Sequence, residues 1–286
     1  MITNCHPNAM KSGEPITLML VGGGIRFPAF IGALQAIEEC GLRVSRIIAS
    51  SSGAVVAGMY LHGYSPTEIL EEALALDTRQ FKDLSFKAML SGYGLCSGER
   101  LEEWLDSRFG GVRFADKRNI PLEIVATDML HYKPVIFSAE KTPDLKLSTA
   151  AAASCLVPGV FGCMKLEYGG RKYALIDGSL MTGIVEGRLD KKQKSLVIRV
   201  MSKRTLKRPE NGGLSLKKYF HEMLTFSLHA QEKEFLKGGK WKDTILIYCS
   251  EISPSTFSLT HDEKRFLYEQ GLEQTKKYLD YKWGGI

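Results

Sequence analysis

The apolar positions near the start of the chain change from strand-like to helix-like spacing. Ile16–Val21 is a continuous apolar run of strand length, and Gly22–Gly24 follow it directly. Pro28 suits a first helical position, and the apolar residues after it recur at helical spacing until Gly41. The pattern therefore predicts a strand, a glycine loop and a helix. The apolar positions of this helix are Phe30, Ile31, Leu34 and Ile37.

The next segment repeats the order of strand, turn and helix. Val44–Ala49 predicts a buried strand, and Gly53–His62 predicts a small apolar helix. Ser51 lies on the turn between them, which is the context of a nucleophile elbow. The alternative interpretation is a buried turn that only packs a helix onto a sheet.

The residues around Ser51 favour it over its serine neighbours as the nucleophile. An elbow is a strained turn, so the residues two before and two after the nucleophile must be very small. Ala49 and Gly53 meet this requirement when the frame is set on Ser51. This frame predicts that Ser51→Ala abolishes activity, whereas Ser50→Ala and Ser52→Ala retain most of it.

Strand-like and helix-like segments continue to alternate along the rest of the chain. Further strands are predicted at Leu122–Thr127, Val135–Ser138, Tyr173–Ile176, Val197–Met201 and Thr244–Cys249. Further helices are predicted after a capping box at Ser65, after Ser97, over Thr149–Ser154, within Leu216–Lys237 and after a capping box at Thr260. The segment Phe81–Cys96 has no clear period, and it is either a mobile apolar lid or a loop packed on the core.

The alternation indicates an α/β protein with three layers, in which helices cover both faces of a central, largely parallel sheet. In such folds the site lies at the carboxyl ends of the strands. We expect a single domain over residues 1–286. Residues 16–185 carry the motifs, and residues 186–286 add strands and helices to the same domain.

The amino-acid composition favours a globular protein over a membrane-spanning or disulfide-rich one. Of the 286 residues, 44% are hydrophobic and 24% are charged, as in a globular domain with a sizeable core. The sequence lacks an apolar run of about 18 residues and an apolar segment near Met1, so we expect neither a membrane span nor a signal peptide. The expected location is cytoplasmic. The six cysteines lie far apart without a C-x-x-C pair, which argues against a metal site and against a disulfide framework.

The formal charge of +6 is concentrated in the basic stretch Arg188–Lys218. Such a stretch could bind an anionic membrane surface or a nucleic acid, or it could simply be a solvated face. Aromatic residues do not interleave with it as stacking platforms would, so we expect a peripheral membrane surface and no nucleic acid. The sequence does not indicate a protein partner or an oligomeric state.

The glycine loop is a second candidate for part of a functional site. Backbone N–H groups at the start of a helix can hold either a phosphate or the oxyanion of an acyl-transfer reaction. The dinucleotide-binding pattern fails at Phe27, and the phosphate-binding pattern G-x-x-x-x-G-K-[ST] is incomplete. We therefore expect an oxyanion hole and no cofactor. Its candidate residues are Gly22, Gly23, Gly24, Ile25 and Arg26. Arg26 either fixes this loop or is an ion-pairing surface residue.

A third candidate motif, Asp177-Gly178-Ser179, follows the predicted strand Tyr173–Ile176. It places an acid and a glycine at the end of this short strand. With this motif the sequence resembles the patatin-like phospholipase family. Gly22–Arg26 is similar to the family's oxyanion loop, and Ala49–Gly53 is similar to its G-x-S-x-G elbow. Ala150–Phe161 resembles the alanine-rich block that precedes the acid. The four motifs occur in family order between about residues 16 and 185.

The resemblance implies a Ser-Asp dyad that cleaves acyl esters of lipids, with Ser51 as nucleophile, Asp177 as general base and acid, and Gly178 as support. The sequence departs from the family pattern in three places. Phe27 replaces the last glycine of the loop, Ala49 replaces the first glycine of the elbow, and Thr182-Gly183-Ile184 replaces an Asn-x-Pro. These departures put the substrate range in doubt more than the chemistry.

Three alternatives remain open on the sequence. The same serine could transfer the acyl group to an alcohol other than water. The chain could also be a catalytically impaired lipid-binding or membrane-binding module. A Ser-His-Asp hydrolase is the third alternative, but that fold places several strands before its elbow strand, and here one strand precedes it.

Overall fold

A computed structural model describes residues 15–84, 94–117, 119–186, 189, 194–201, 244–250, 252 and 258–283. Its central feature is an eight-stranded sheet with the order β5-β6-β3-β2-β1-β7-β8, in which β4 also pairs with β3. The strands are β1 (Pro15–Val21), β2 (Arg43–Ser50), β3 (Leu122–Asp128), β4 (Lys133–Phe137), β5 (Met164–Tyr168), β6 (Arg171–Ile176), β7 (Ser195–Met201) and β8 (Thr244–Tyr248).

The sheet is parallel in its centre and antiparallel along one side. β1 pairs in parallel with β2 and β7, β2 with β3, and β7 with β8. β3 pairs antiparallel with β4 and β6, and β5 with β6. The predicted α/β class with a largely parallel sheet is confirmed. Strands β7 and β8, which lie beyond residue 185, extend the same sheet, although the extent of the single domain stays a prediction.

Helices connect the parallel strands, and their starts follow the capping signals. Pro28 opens the first helix, and Ser65 and Glu68 form the predicted capping box. The helix predicted to be capped by Ser97 instead has Gly98 as its N-cap, with φ 86°. The helices are α1 (Pro28–Glu39), α2 (Ser52–Leu61), α3 (Pro66–Ala75), α4 (Glu99–Phe109), α5 (Leu147–Ser154), α6 (Thr182–Glu186) and α7 (His261–Trp283).

The core lies on both faces of the central strands. Leu18, Leu20 and Ile47 face a large apolar cluster that includes residues of α1, α2, α5 and α7. Alternate residues such as Met19 and Ile48 face a smaller cluster that includes Val185 of α6. Near-continuous apolar strands are expected when both faces of a parallel sheet are covered.

Two predicted features fall largely outside the described residues. These are the basic stretch Arg188–Lys218, apart from Leu189 and residues 194–201, and the helical region within Leu216–Lys237. The central part of Phe81–Cys96 also lies outside them, so the choice between lid and packed loop stays a prediction. Among the described helices, none combines the length and the apolar character that crossing a bilayer requires.

Candidate active site

Ser51 lies on a strained turn between β2 and α2. Its backbone has φ 53° and ψ −135°, a conformation that is unfavourable for a residue with a side chain. A Cβ at Gly53 would lie 2.6 Å from the carbonyl oxygen of Leu20, so only glycine allows the helix to approach β1 this closely. Ala49 is buried beneath the turn. The geometry of a nucleophile elbow is therefore present around Ser51.

Asp177 lies in direct contact with Ser51. The Ser51 hydroxyl donates a hydrogen bond of 2.7 Å from Oγ to Asp177 Oδ2. The other carboxylate oxygen, Oδ1, accepts a hydrogen bond from the Ser179 backbone N–H at 2.8 Å and a second one from the Ser179 hydroxyl. The bond between Ser51 and Asp177 joins two residues that are 126 positions apart in the sequence.

The environment of Asp177 changes its acidity. Asp177 is only 2% exposed. This burial raises the pKa of its carboxyl above the usual range, because the charged form loses hydration. The hydrogen bonds from Ser179 and Ser51 act in the opposite direction, but burial is the larger effect. A carboxylate with a raised pKa is a better proton acceptor than an ordinary aspartate.

The backbone on each side of the Ser51–Asp177 pair is held by further hydrogen bonds. Ser154 Oγ accepts a bond from the Ser51 N–H at 2.7 Å and donates to the Val125 carbonyl at 2.5 Å. Thr127 Oγ1 donates to the Asp177 carbonyl at 2.8 Å. Sequence reasoning gave Ser154 no role of its own. Its place in the alanine-rich block Ala150–Phe161 was the available signal.

Gly178 allows the acid-bearing turn to lie against β3. A Cβ on Gly178 would be 1.8 Å from the Val125 carbonyl oxygen and 2.9 Å from Ser154 Oγ. Any side chain here would push Asp177 away from the elbow. The predicted supporting role of Gly178 therefore has a direct steric basis.

The glycine loop adopts backbone conformations that favour glycine. Gly22, Gly23 and Gly24 have φ values of 67°, 100° and 57°. A Cβ on Gly23 would also lie 2.6 Å from the Phe30 ring. The structure thus shows why a run of glycines follows β1.

The five candidate oxyanion residues are not equivalent. The Gly22 N–H donates to Ser50 Oγ at 3.3 Å, and the Arg26 N–H donates to the Gly23 carbonyl at 3.2 Å. These two amides already have partners. The amides of Gly23, Gly24 and Ile25 are therefore the better candidates for oxyanion donors.

Arg26 is a loop-fixing residue and not a surface residue. It is only 4% exposed, so the predicted alternative of a position on the surface is wrong. Its Nε donates to the Gly23 carbonyl at 3.1 Å, and its Nη2 donates to the Val200 carbonyl of β7 at 3.0 Å. The guanidinium thereby ties the glycine loop to the sheet.

The neighbours of Ser51 hold the same loop. Ser52 Oγ donates to the Gly22 carbonyl at 2.8 Å, while Ser50 Oγ accepts from the Gly22 N–H. Thr182 Oγ1 lies 3.0 Å from Ser50 Oγ and donates to the Gly178 carbonyl at 2.7 Å. These contacts connect the elbow, the glycine loop and the acid-bearing turn.

Two of the departures from the family pattern are accommodated without strain. Phe27 has φ −54° and ψ −24°, which any residue can adopt, so a glycine is not required there. Its side chain packs against the main apolar cluster. Thr182, which stands in the segment that replaces the Asn-x-Pro, supplies the contacts to Ser50 and Gly178.

The described residues offer no candidate metal site. Among them, no group of three or more His, Cys, Asp or Glu side chains could hold a metal ion. His131 contacts Asp128, not Asp177, with 2.5 Å between Nδ1 and Oδ2. His221 and His229 lie outside the described residues.

Comparison with known proteins identifies the family. The sequence profile described as "Patatin-like phospholipase" matches residues 18–185, which is more than half of the 286-residue chain. The chain belongs to the patatin-like phospholipase family. The predicted family and fold class are confirmed, and with them the predicted enzyme class, a lipid acyl hydrolase.

Relatives of this patatin-like chain occur in bacteria and in a virus. It is 26% identical over 278 residues to the uncharacterized protein YqhO of Bacillus subtilis, covering 90% of this chain and 96% of that protein. It is 32% identical over 171 residues to the uncharacterized NTE family protein Mb1092c of Mycobacterium bovis, covering 60% of this chain and 44% of that protein. It is also 28% identical over 176 residues to the probable lipid hydrolase 463L of Invertebrate iridescent virus 6, covering 57% of this chain and 60% of that protein.

Solved structures share the fold of the patatin-like chain at low sequence identity. VipD from Legionella pneumophila superposes with a TM-score of 0.64 at 15% identity, covering 96% of this chain and 68% of that one. Human GIVD cytosolic phospholipase A2 superposes with a TM-score of 0.51 at 9% identity, covering 95% of this chain and 63% of that one. At such identities the likeness concerns the fold.

Proposed function

We propose that this chain is a serine acyl hydrolase that cleaves carboxylic ester bonds of membrane phospholipids and releases fatty acid. The observation that carries the proposal is the 2.7 Å hydrogen bond from Ser51 Oγ, on a strained elbow, to the buried carboxylate of Asp177. A nucleophile within hydrogen-bond reach of its base is the geometric requirement for covalent catalysis.

In the acylation step, Asp177 takes the hydroxyl proton as Ser51 Oγ attacks the ester carbonyl carbon. The carbonyl π electrons move to its oxygen, and a tetrahedral oxyanion forms. Amides of the glycine loop, with those of Gly23, Gly24 and Ile25 as the main candidates, donate hydrogen bonds to it. Each such donor typically lowers the barrier by roughly 3 kcal/mol.

Collapse of the tetrahedral intermediate breaks the bond to the leaving oxygen. Asp177 returns its proton to that oxygen, so the lysophospholipid leaves as an alcohol and the acyl group stays on Ser51. A water molecule then attacks the acyl carbonyl while Asp177 accepts a proton from it. The second collapse restores the Ser51 hydroxyl and releases the fatty acid.

A dyad is favoured over a triad by the direct contact between acid and nucleophile. In a Ser-His-Asp triad the imidazole lies between the two, and the acid does not touch the serine. Here Asp177 Oδ2 accepts the hydrogen bond of the Ser51 hydroxyl directly. The raised pKa of Asp177 supports its role as a base in place of an imidazole.

A lipid substrate is supported by the family and by its relatives. The viral relative is described as a probable lipid hydrolase, and a shorter match of 53 residues is to Lysophospholipase NTE1 of Saccharomyces cerevisiae, at 45% identity. An ester suits a weak base such as aspartate better than an amide does, because the alcohol is the better leaving group. We therefore expect ester hydrolysis and not amide hydrolysis.

Labelling with a fluorophosphonate probe tests the nucleophile. We expect the wild-type protein to be labelled and Ser51→Ala not to be labelled. Ser107→Ala provides a matched control, because this exposed serine of α4 donates only to the Trp104 carbonyl among the hydrogen bonds described for its side chain. Labelling of Ser51→Ala as strong as that of the wild type would contradict the assignment, and a wild type that resists the probe would favour an impaired lipid-binding module.

Product analysis separates hydrolysis from acyl transfer. The wild-type protein is incubated with phospholipid in the presence of a lysophospholipid acceptor. Hydrolysis predicts free fatty acid as the main product, whereas a transacylase would form new diacyl lipid instead.

A further inference from the structure

The turn between β3 and β4 exposes three large apolar side chains. We call Met129–Tyr132 the β3–β4 tip. Met129 is 43% exposed, Leu130 55% and Tyr132 85%. They make up three of the seven large hydrophobic residues that are exposed in the described part of the chain. A contiguous apolar patch on a globular surface marks an interaction site more often than a scattered residue does.

The tip is fixed by a buried carboxylate. Asp128 is fully buried, and its Oδ1 accepts a hydrogen bond from the Leu130 N–H at 3.0 Å, while its Oδ2 lies 2.5 Å from His131 Nδ1. The Met129 N–H donates to the Ala174 carbonyl of β6 at 2.8 Å. An aspartate that bonds the backbone two residues ahead stabilises a turn. These contacts fix the turn that carries the exposed apolar side chains.

The tip lies at the same edge of the sheet as Ser51. β2 and β3 are parallel neighbours, and Ser50 is opposite Val125. Ser51 follows the end of β2, and the tip follows the end of β3. Because a strand rises by about 3.3 Å per residue, Met129 lies roughly 10 Å further along the strand direction than Ser51. The tip thus projects beyond the candidate active site.

Basic residues lie beside the tip, in the chain and on the neighbouring strands. Lys133 follows it directly and is exposed. The strands β5 and β6, which pair beside β3, add exposed Lys165, Arg171 and Lys172, with Glu167 opposite Lys172 as the acidic residue among them. We call these four basic residues the basic rim. A projecting apolar tip with basic residues beside it is complementary to an anionic bilayer, whose headgroups are negative and whose interior is apolar.

We propose that the β3–β4 tip docks the protein on anionic phospholipid bilayers. Met129, Leu130 and Tyr132 enter the headgroup region while the basic rim contacts the lipid phosphates. Tyrosine is favoured at this depth because its ring is apolar and its hydroxyl is polar. Interfacial elements enter a bilayer by about 5–10 Å, which matches the distance by which the tip projects beyond Ser51. The inference rests on the proposed function, because it supplies the route by which a membrane lipid reaches the site.

Vesicle sedimentation tests the docking surface apart from catalysis. All proteins carry Ser51→Ala, so binding does not depend on turnover. The vesicles contain phosphatidylcholine, alone or with about 30% phosphatidylserine, at low salt. The test variant is Met129→Ser/Leu130→Ser/Tyr132→Ser. The matched control is Phe266→Ser/Tyr281→Ser on α7, where the two residues are 37% and 82% exposed.

We expect binding to the phosphatidylserine vesicles, a loss of roughly tenfold or more in the tip variant, and a change of less than about twofold in the control. Arg171→Glu/Lys172→Glu should weaken binding and reduce its salt dependence. The proposal would be overturned if the tip variant bound as well as the control, or if the Ser51→Ala protein did not bind anionic vesicles.

A second readout keeps the two proposals apart. The tip variant with Ser51 intact should hydrolyse a water-soluble short-chain ester within about twofold of the wild type, since the tip does not touch the dyad. This result would also show that the variant is folded. If the wild type fails to hydrolyse that ester but the vesicle result is as expected, the proposed function fails and the docking surface stands.

Discussion

Ser50, Ser51 and Ser52 carry the same hydroxyl, but the fold gives each one a different partner. Ser51 donates to Asp177, Ser50 accepts from the Gly22 N–H, and Ser52 donates to the Gly22 carbonyl. Small flanking residues indicate which serine lies on the elbow. They contain no information about the hydrogen bonds of the other two, because those partners lie about thirty residues away. From these contacts we expect Ser50 and Ser52 to contribute to activity as well, whereas the small flanking residues alone predict that their alanine variants retain most of it.

Ser51→Ala should abolish ester hydrolysis, whereas Ser50→Ala and Ser52→Ala should each lower kcat by about five- to thirtyfold. The smaller loss corresponds to about 1–2 kcal/mol for one hydrogen bond that positions the glycine loop. Steady-state kinetics with a soluble ester measures the effect. Ser52→Thr keeps the hydroxyl and should recover most of the activity.

A Ser52→Ala protein with unchanged kcat would show that the loop does not need this contact. A loss confined to KM would place the effect on substrate binding and contradict a role in positioning oxyanion donors.

The raised pKa of Asp177 predicts the pH dependence of the reaction. The ionised carboxylate is the base, so activity should fall on acidification through an apparent pKa above the usual aspartate value of about 3.9. The folded chain also binds this proton more tightly than the unfolded chain does. The contribution of Asp177 to the free energy of unfolding therefore increases as the pH falls through the folded-state pKa.

The pH profile of kcat/KM for a soluble ester measures this acidic limb. As a control, His261→Ala should leave the limb in place. If the limb disappeared in a histidine variant, the titrating base would be an imidazole and not Asp177.

The burial of Arg26 could not be predicted from the residues next to it in the sequence. An arginine beside three glycines is compatible with either a surface or a loop-fixing role. Its burial follows from the contact with Val200, which is 174 residues away in the sequence. A local pattern cannot report a partner at that distance.

At the scale of elements, α1 and α7 form a close crossing that depends on two glycines. A Cβ on Gly271 would lie 2.0 Å from the Ala29 carbonyl oxygen, and a Cβ on Gly32 would lie 1.9 Å from the Tyr268 carbonyl oxygen. Neither glycine has a positive φ, so each is required by space and not by backbone conformation. The crossing holds the C-terminal helix against the helix that follows the glycine loop.

Gly271→Ala should lower the free energy of unfolding by about 1–3 kcal/mol or more, because the helices must separate to admit the methyl group. Gly183→Ala is the matched control, since nothing lies within 4 Å of a Cβ there and the residue is helical in α6. That variant should be neutral or stabilised by up to about 1 kcal/mol. Urea unfolding measures both. Equal stability of the two variants would contradict the close crossing.

Most elements were predictable because their signals are local. Apolar runs identify β1 and β2, Pro28 identifies the start of α1, and capping boxes identify the starts of α3 and α7. β5 was not predicted, although Met164–Tyr168 alternates apolar and charged residues and Gly169-Gly170 follows. A five-residue alternation is weak evidence by itself, and pairing with β6 is what makes it a strand.

At the scale of the whole molecule, the sheet brings distant motifs to one edge. The glycine loop follows β1, Ser51 follows β2, and Asp177 follows β6, which pairs antiparallel with β3. The alternation of strands and helices predicted this edge as the place of the site. The family resemblance, and not the alternation, paired Ser51 with Asp177, because strand order is not visible in local patterns.

The central claim is that Asp177 is the base and that no histidine is needed. The most direct test compares kcat/KM for fatty acid release from phospholipid by Asp177→Asn with that of His221→Ala, His229→Ala and His261→Ala. We expect Asp177→Asn to lose nearly all activity, and each histidine variant to stay within roughly tenfold of the wild type, a barrier change of about 1.4 kcal/mol or less. A folded histidine variant with a loss as large as that of Ser51→Ala would contradict the dyad and give Asp177 a supporting role.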